Sequence, residues 1–189
     1  MKKRLFGLFV FAVVMSLGMI GASAQMMKDE NPMVGGAPMY KTKNIVENAV
    51  NSKDHTTLVA AVKAAGLVET LQGPGPFTVF APVNSAFDKL PAGTVEMLVK
   101  PENKETLTKI LTYHVIAGKY DSKAIAKAIK NGGGKAEFTT VSGGKLWAWM
   151  DGNSLILTDE KGGKAMVTIA DVRQSNGVIH VVDTVLMPN

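Results

Sequence analysis

The sequence predicts an α+β domain, and three observations carry that prediction. Apolar residues recur at helical spacing through the first two thirds of the chain, and from about residue 138 onward they alternate at period two. Glycine-bearing turns separate the alternating runs, so helices come first and an antiparallel meander closes the chain. The 189 residues contain no cysteine, so no disulfide framework supports the fold and packing alone must hold it.

The first residues read as an address. Lys2, Lys3 and Arg4 precede an apolar run from Leu5 to Ile20, and Ala22-Ser23-Ala24 supplies the small residues of a cleavage site. Residues 1–24 therefore read as a signal peptide cut before Gln25. The run is shorter than the ~20 residues that span a bilayer, and no cysteine follows it for lipid attachment. The expectation is an exported protein, periplasmic or secreted, with no stable membrane insertion after cleavage. Cleavage removes three of the 21 basic residues and leaves 18 against 16 acidic ones, a net charge of +2. Lysines scattered at that balance give no footprint for nucleic acid, which is not an expected partner. The remaining 165 residues suit one domain, which at this size buries roughly 70% of its unfolded-chain surface.

Residues 25–43 are polar and irregular, with Pro32, Gly35, Gly36 and Pro38, and read as a flexible leader. They also hold Met26, Met27, Met33 and Met39, whose thioethers would suit copper(I), although the spacing is irregular and no His or Cys accompanies them. Asn44 can cap a helix from Ile45 to Val50. Asp54 or Thr56 can cap a second, with Leu58, Val59, Val62 and Ala65 on one face and Gly66 as its stop, which leaves His55 exposed at its start. Gly73-Pro74-Gly75-Pro76 reads as a turn, since prolines lack the N–H groups a phosphate loop needs. Phe77 to Ala81 is then a short buried strand, and Asn84 or Ser85 opens a helix through Phe87 and Leu90. A further short helix spans Thr94 to Val99.

The cleanest helical stripe is Leu107, Ile110, Leu111 and His114, at i, i+3, i+4 and i+7. It sets His114 on the apolar side, as a neutral core residue bonded through one ring nitrogen. Ser122 caps a last helix bearing Ile125, Ala128 and Ile129. The strands follow: 138–141, 146–150, 155–158, 165–172 and 178–186, the second carrying Trp147 and Trp149 on one face. The two indoles either cover the end of the core or, if exposed, offer stacking surfaces to sugar rings.

The final strand, Val178 to Leu186, is apolar on both faces and therefore central, yet carries His180 on one face and Asp183 on the other. Facing apart, the two cannot form a dyad, and buried polar groups without partners cost ~1–3 kcal/mol each. They are expected to lock the core. The chain lacks Gly-x-Ser-x-Gly, His-Glu-x-x-His and any thiol, and offers only His55, His114 and His180 as imidazole bases. No catalytic residue, metal site or cofactor is expected; a hydrolase would have to assemble its serine, histidine and carboxylate from across the fold.

Three blocks carry a family resemblance. Thr78-Val79-Phe80-Ala81-Pro82-Val83-Asn84-Ser85-Ala86-Phe87 resembles the first conserved box of the fasciclin domain, and Leu111-Thr112-Tyr113-His114-Val115-Ile116-Ala117-Gly118 its Tyr-His motif. Asn176-Gly177-Val178-Ile179-His180-Val181-Val182-Asp183, on to Pro188, resembles the second box. Order and spacing match over about residues 44–189, and the stretch from Met33 to Asn48 resembles the lead-in of small, secreted, single-domain bacterial members. The resemblance implies a wedge of two β-sheets with helices packed around one end, a role in cell adhesion or extracellular-matrix interaction through a protein or glycan, and neither cofactor nor reaction. In animal members an Asp-Ile pair before the second box has been linked to integrins; the matching positions are Asp171 and Val172, and a bacterial exported protein has no integrin to meet. Tyr113 and His114 fall where the motif supports folding and interaction surfaces. Where the family often has threonine stands Val83, which leaves Asn84 to cap the following helix. The candidate binding residues are thus Tyr113, His114, Asp171, Val172, Trp147 and Trp149, and the expected polar core is Asn84, His114, His180 and Asp183. A carrier of a small ligand or of copper is the alternative.

Overall fold

The structure, a computed structural model, describes residues 31–189; the signal peptide, Met26 and Met27 lie outside the described residues. The described chain opens with a hairpin of β1 (Met33–Val34) and β2 (Ala37–Pro38). Three helices follow: α1 (Ile45–Ala49), α2 (Thr56–Ala65) and α3 (Val68–Gln72). After β3 (Phe77–Pro82) come α4 (Asn84–Phe87), α5 (Thr94–Leu98) and α6 (Lys104–Tyr113), then β4 (Val115–Ala117) and α7 (Ser122–Asn131). The meander is β5 (Lys135–Thr139), β6 (Lys145–Asp151), β7 (Ser154–Thr158), β8 (Lys164–Gln174) and β9 (Gly177–Val182). All the described α-helices precede the five-stranded meander, as the α+β reading expects, while β1 to β4 stand before and between them.

Seven strands form one ladder in the order β4-β3-β9-β8-β7-β6-β5, with β3 and β9 parallel and every other pair antiparallel. The two halves of the wedge share β8, whose start pairs with β7 and whose remainder pairs with β9. Its register slips between Val167 and Ile169 and again between Ile169 and Val172, and such bulges bend a strand and raise its twist. Asp171, the one non-glycine residue with positive φ (61°) among those described, sits at the second slip.

The parallel pair β3–β9 divides the interior. On one side Val79, Ala81, Ile179 and Val181 meet Leu58, Val62, Leu107 and Ile110 of α2 and α6. On the other Phe80, Val182 and Leu186 meet Ile125 and Ile129 of α7 and the inner residues of the meander, among them Leu146, Ala148 and Leu157. Each fully buried aliphatic chain contributes about 1.5–3 kcal/mol, which is how a fold without cysteines stands. Close approach of β3 to β9 depends on Gly177, where a Cβ would lie 2.1 Å from the Phe77 carbonyl oxygen.

Four local expectations are corrected. Residues 31–43 are not a loose leader: Val34 and Met39 are buried, and the Asn48 amide accepts from Tyr40 N at 2.9 Å and donates to its carbonyl at 2.8 Å. With its thioether in the core, Met39 is no copper ligand, whereas Met33 is exposed. The last strand ends at Val182 rather than Leu186, because its parallel partner β3 ends at Pro82, in register with Val182, and no ladder remains. Asn84 does not cap its own helix, whose N-cap Val83 has no side-chain bond; it reaches back to α2, accepting from Thr57 N at 3.0 Å and Thr56 Oγ1 at 3.2 Å and donating to Lys53 O at 2.8 Å. Asp121, not Ser122, caps α7, accepting from Ala124 N at 2.9 Å.

Candidate functional site

Of the proposed binding residues, the structure buries four to differing degrees and leaves two on a surface. Tyr113 is fully buried; its hydroxyl donates to Lys145 O at 2.5 Å and accepts from Glu160 N at 3.2 Å, joining α6 to the meander. Burial pushes this phenol up to about 12, so it remains a donor at any physiological pH. His114 closes α6, and both its nitrogens are used rather than one: Nδ1–H donates to Ile110 O at 2.8 Å and Nε2 accepts from Leu186 N at 3.0 Å. The carbonyl fixes the tautomer, since it can only accept. Val172 is 1% exposed and belongs to the core. Asp171 is half-buried, with its carboxylate held by Ser122 N at 2.6 Å and Ser122 Oγ at 2.5 Å. Burial alone would raise its pKa; the Ser122 donors together with nearby positive charge such as Arg173 outweigh that and hold it below the usual carboxylate range. Tyr113, His114 and Val172 thus lie inside the domain, and Asp171 alone of the four keeps part of its surface.

The polar pair of the last strand separates in the same way. His180 is fully buried and stacks on Phe80 with ring centroids 5.6 Å apart; its Nε2–H donates to Tyr120 O at 2.8 Å and Nδ1 accepts from Asp171 N at 3.4 Å. Asp183, beyond the strand end, keeps 35% of its side chain exposed and so is no core residue. It accepts from Met166 N at 2.8 Å and Thr184 Oγ1 at 3.0 Å, with Lys89 Nζ at 3.4 Å. Burial would raise its pKa, but these donors and the lysine together lower it. Ser122, Asp171 and His180 meet, yet not as a relay. The serine bonds the carboxylate rather than the imidazole, and both ring nitrogens are engaged by backbone.

His55 overturns another expectation: it is 3% exposed, with Nδ1 2.8 Å from Ser52 Oγ. Among the described residues its Nε2 is the one buried side-chain polar atom without a hydrogen-bond partner. Burial lowers the pKa of all three histidines, so each is a neutral ring.

Trp147 and Trp149 stand on the face of β6 turned away from the core, where Ala136, Phe138, Leu146, Ala148, Leu157 and Ala165 occupy the opposite, buried face. Both indoles are half-buried, and neither covers the core end. Trp147 Nε1 donates to Glu137 Oε2 at 3.0 Å, and Trp149 Nε1 donates to Thr158 Oγ1 at 3.0 Å. Lys135 Nζ lies 5.1 Å from the Trp147 ring centroid and Lys164 Nζ 5.2 Å from that of Trp149, within cation–π range. Lys145 pairs with Glu137 at 3.0 Å, and that contact leads the causes holding the exposed Glu137 carboxyl below its ordinary pKa. The result is a pair of oriented aromatic plates among three lysines and one glutamate. Sequence reasoning found the indoles and missed the cations. The signal lay in the hairpin register that sets Lys135 opposite Trp149 and Glu137 opposite Trp147. Among the described residues no group of His, Cys, Asp or Glu side chains is placed to hold a metal ion, and no helix is long and apolar enough to cross a membrane.

A ladder of this order with helices against one part of it is a known architecture. A solved structure, the FAS1 domain pair from the insect cell adhesion molecule Fasciclin I, superposes with a TM-score of 0.55 at 22% identity, covering 69% of this chain and 43% of that one. That likeness defines the class as a FAS1-type α+β domain. The family profile of the fasciclin domain matches residues 53–188, and the chain belongs to that family. Protein sll1483 of Synechocystis sp. is 46% identical over 161 residues, 85% of this chain and 82% of that protein. The cell surface glycolipoprotein MPB83 of Mycobacterium bovis is 32% identical over 176 residues, 90% of this chain and 72% of that one. The resemblance read from the three boxes stands.

Proposed function

We propose that this protein is an exported interaction module that binds a glycan at the cell surface through the Trp147–Trp149 face. The observation behind this reading is the pair of half-exposed indoles on the sheet face turned from the core, each with its N–H engaged and a lysine alongside. Held plates of this kind supply large contact area at little entropic cost, and tryptophan is enriched where proteins meet partners. Lys135, Lys145 and Lys164 around them favour a sugar chain carrying acidic groups. The export reading of the first 24 residues agrees with its relative MPB83 being a cell surface glycolipoprotein and with Fasciclin I being a cell adhesion molecule.

The test is binding to a panel of neutral and uronate-bearing polysaccharides, wild type against the Trp147→Ala/Trp149→Ala double variant. Loss of about tenfold or more in affinity in the variant, with a native far-UV circular-dichroism spectrum at the assay temperature, is the expected result. Equal binding by both proteins would remove this face from the function.

A further inference from the structure

The outer face of the meander is a grid whose rows run across the strands. Because β5 to β8 pair in register, Lys135, Trp149, Ile156 and Met166 form one row, and Glu137, Trp147, Thr158 and Lys164 form the next. Trp149, Ile156 and Met166 thus make an apolar stripe on this face, with Met166 39% exposed. Along the stripe lies a hollow of about 210 Å³, open to solvent, walled by those three side chains and bordered by Lys164, Asp151 and Asp183. Asp183 is set there by Met166, whose N–H it accepts at 2.8 Å, and Lys89 reaches it only at 3.4 Å. The two lysines of the grid lean diagonally. Lys135, from the row of Trp149, lies over the Trp147 ring, and Lys164, from the row of Trp147, lies over Trp149.

The two indoles therefore stand in opposite surroundings. Around Trp147, Lys135 and Lys145 outnumber Glu137, whereas around Trp149 the carboxylates of Asp151 and Asp183 outnumber Lys164. We propose, resting on the glycan reading of this face, that it selects a polysaccharide in which a neutral, hydroxyl-rich sugar adjoins an acidic one, the neutral ring seated in the hollow against Trp149 and the carboxylate-bearing ring on Trp147. The hollow is smaller than the roughly 300–1,000 Å³ of a drug-sized pocket, so it seats one ring and leaves the neighbouring sugar on the open surface. Alternate residues of a strand stand roughly 6.6 Å apart, close to the advance of one pyranose unit along a β-linked chain, so adjacent sugars meet the two indoles. In the hollow the apolar stripe takes the C–H face of the ring, and the hydroxyls reach its border. There they donate to Asp151 and Asp183 and accept from the Lys164 ammonium, since a hydroxyl fills both roles. A uronate in that place would face two like charges with one lysine to offset them, and a neutral ring on Trp147 would forgo the charge-assisted bonds of Lys135 and Lys145. Selectivity thus comes from repulsion in one half of the face and attraction in the other.

The experiment titrates the purified protein with cellotetraose, tetraglucuronate and a tetrasaccharide alternating glucose and glucuronate, following the Nε1–H signals of both indoles and the Met166 methyl. Expected is tightest binding of the alternating sugar, by about tenfold or more over each of the others, with all three signals moving. Asp151→Asn, at an exposed position, should raise the affinity for tetraglucuronate about threefold or more. The Lys135→Gln/Lys145→Gln double variant should bring the alternating sugar down to the level of cellotetraose, and salt of about 1 M, where charges act over only about 3 Å, should narrow the wild-type ranking. Tetraglucuronate or cellotetraose binding at both indoles as tightly as the alternating sugar, or a ranking that these variants leave in place, would overturn the inference while the glycan face itself stood. Indole signals that none of the three sugars moves would overturn the glycan reading and this inference with it.

Discussion

Three neutral histidines buried in one small domain should make its stability fall as pH drops below neutral. Burial is the main cause for each, and it outweighs the nearby Asp54 at His55, Asp159 at His114, and Asp171 and Asp121 at His180. Because the folded pKa lies below the unfolded value of about 6.5, the unfolded chain binds protons first as pH drops. The histidine contribution is fully present above about pH 6.5 and is lost as pH falls from there toward the folded values. At pH 5.5 an unfolded ring is about nine-tenths protonated, so each ring still neutral in the fold costs at most about 1.4 kcal/mol, and the three together about 4 kcal/mol. That is a large share of the 5–15 kcal/mol typical of a domain. For a urea m-value of about 2 kcal/mol/M, the unfolding midpoint should drop by up to about 2 M between pH 7.5 and pH 5.5. The Asp171 and Asp183 carboxyls act in a separate window, since their lowered pKa values add stability that is lost only below about pH 4. Urea titrations at half-unit pH steps read the slope, and His114→Gln should remove about a third of it whatever its own stability. A midpoint flat or rising between pH 7.5 and pH 5.5 would refute the assignment of three neutral rings.

Asn84→Ala leaves the start of α2 without its acceptor and Lys53 O without its donor, so a loss of about 1–2 kcal/mol is expected in urea unfolding. Tyr113→Phe strips the Lys145 carbonyl and Glu160 N–H of their shared partner and should cost about 1–3 kcal/mol, with tryptophan emission unchanged in the folded state. Gly177→Ala pushes a methyl against the Phe77 carbonyl at the parallel β3–β9 contact, where backbone cannot yield cheaply; soluble protein with a native circular-dichroism spectrum would show the contact to be less tight than described.

Periodicity made the architecture legible, and the sites much less so. The stripe Leu107, Ile110, Leu111, His114 located α6, and the alternation after residue 138 located the meander, because each pattern records which side of an element meets the core. Capping was legible only where it was local. Asn44 caps α1 in a capping box with Glu47, three residues on, but the partner of α2 is Asn84, 28 residues from Thr56, and no spacing rule reports a contact closed by the fold. His55 misled for the same reason, since a helix start is commonly exposed, and this one is covered by Ser52 and by the Ala81 backbone of β3, a strand that lies 26 residues on. Asp183 misled through strand length: apolar Val185 and Leu186 continue the pattern after the ladder has ended, buried in irregular chain. The indole pair could be placed on one face from sequence alone, but which face it was depended on the packing of Ile125 and Ile129 of α7 against the other.

The account rests on the Trp147–Trp149 face being the surface that meets the partner, and mapping a bound glycan onto the protein tests this most directly. Amide and indole Nε1 chemical-shift changes, recorded while titrating the highest-affinity polysaccharide of the panel, should concentrate at residues 135–137, 147–149, 156–158 and 164–166, with both indole signals moving. Shifts confined to the α2, α3 and α6 side of the domain, or saturable binding that leaves both indole signals in place, would contradict it.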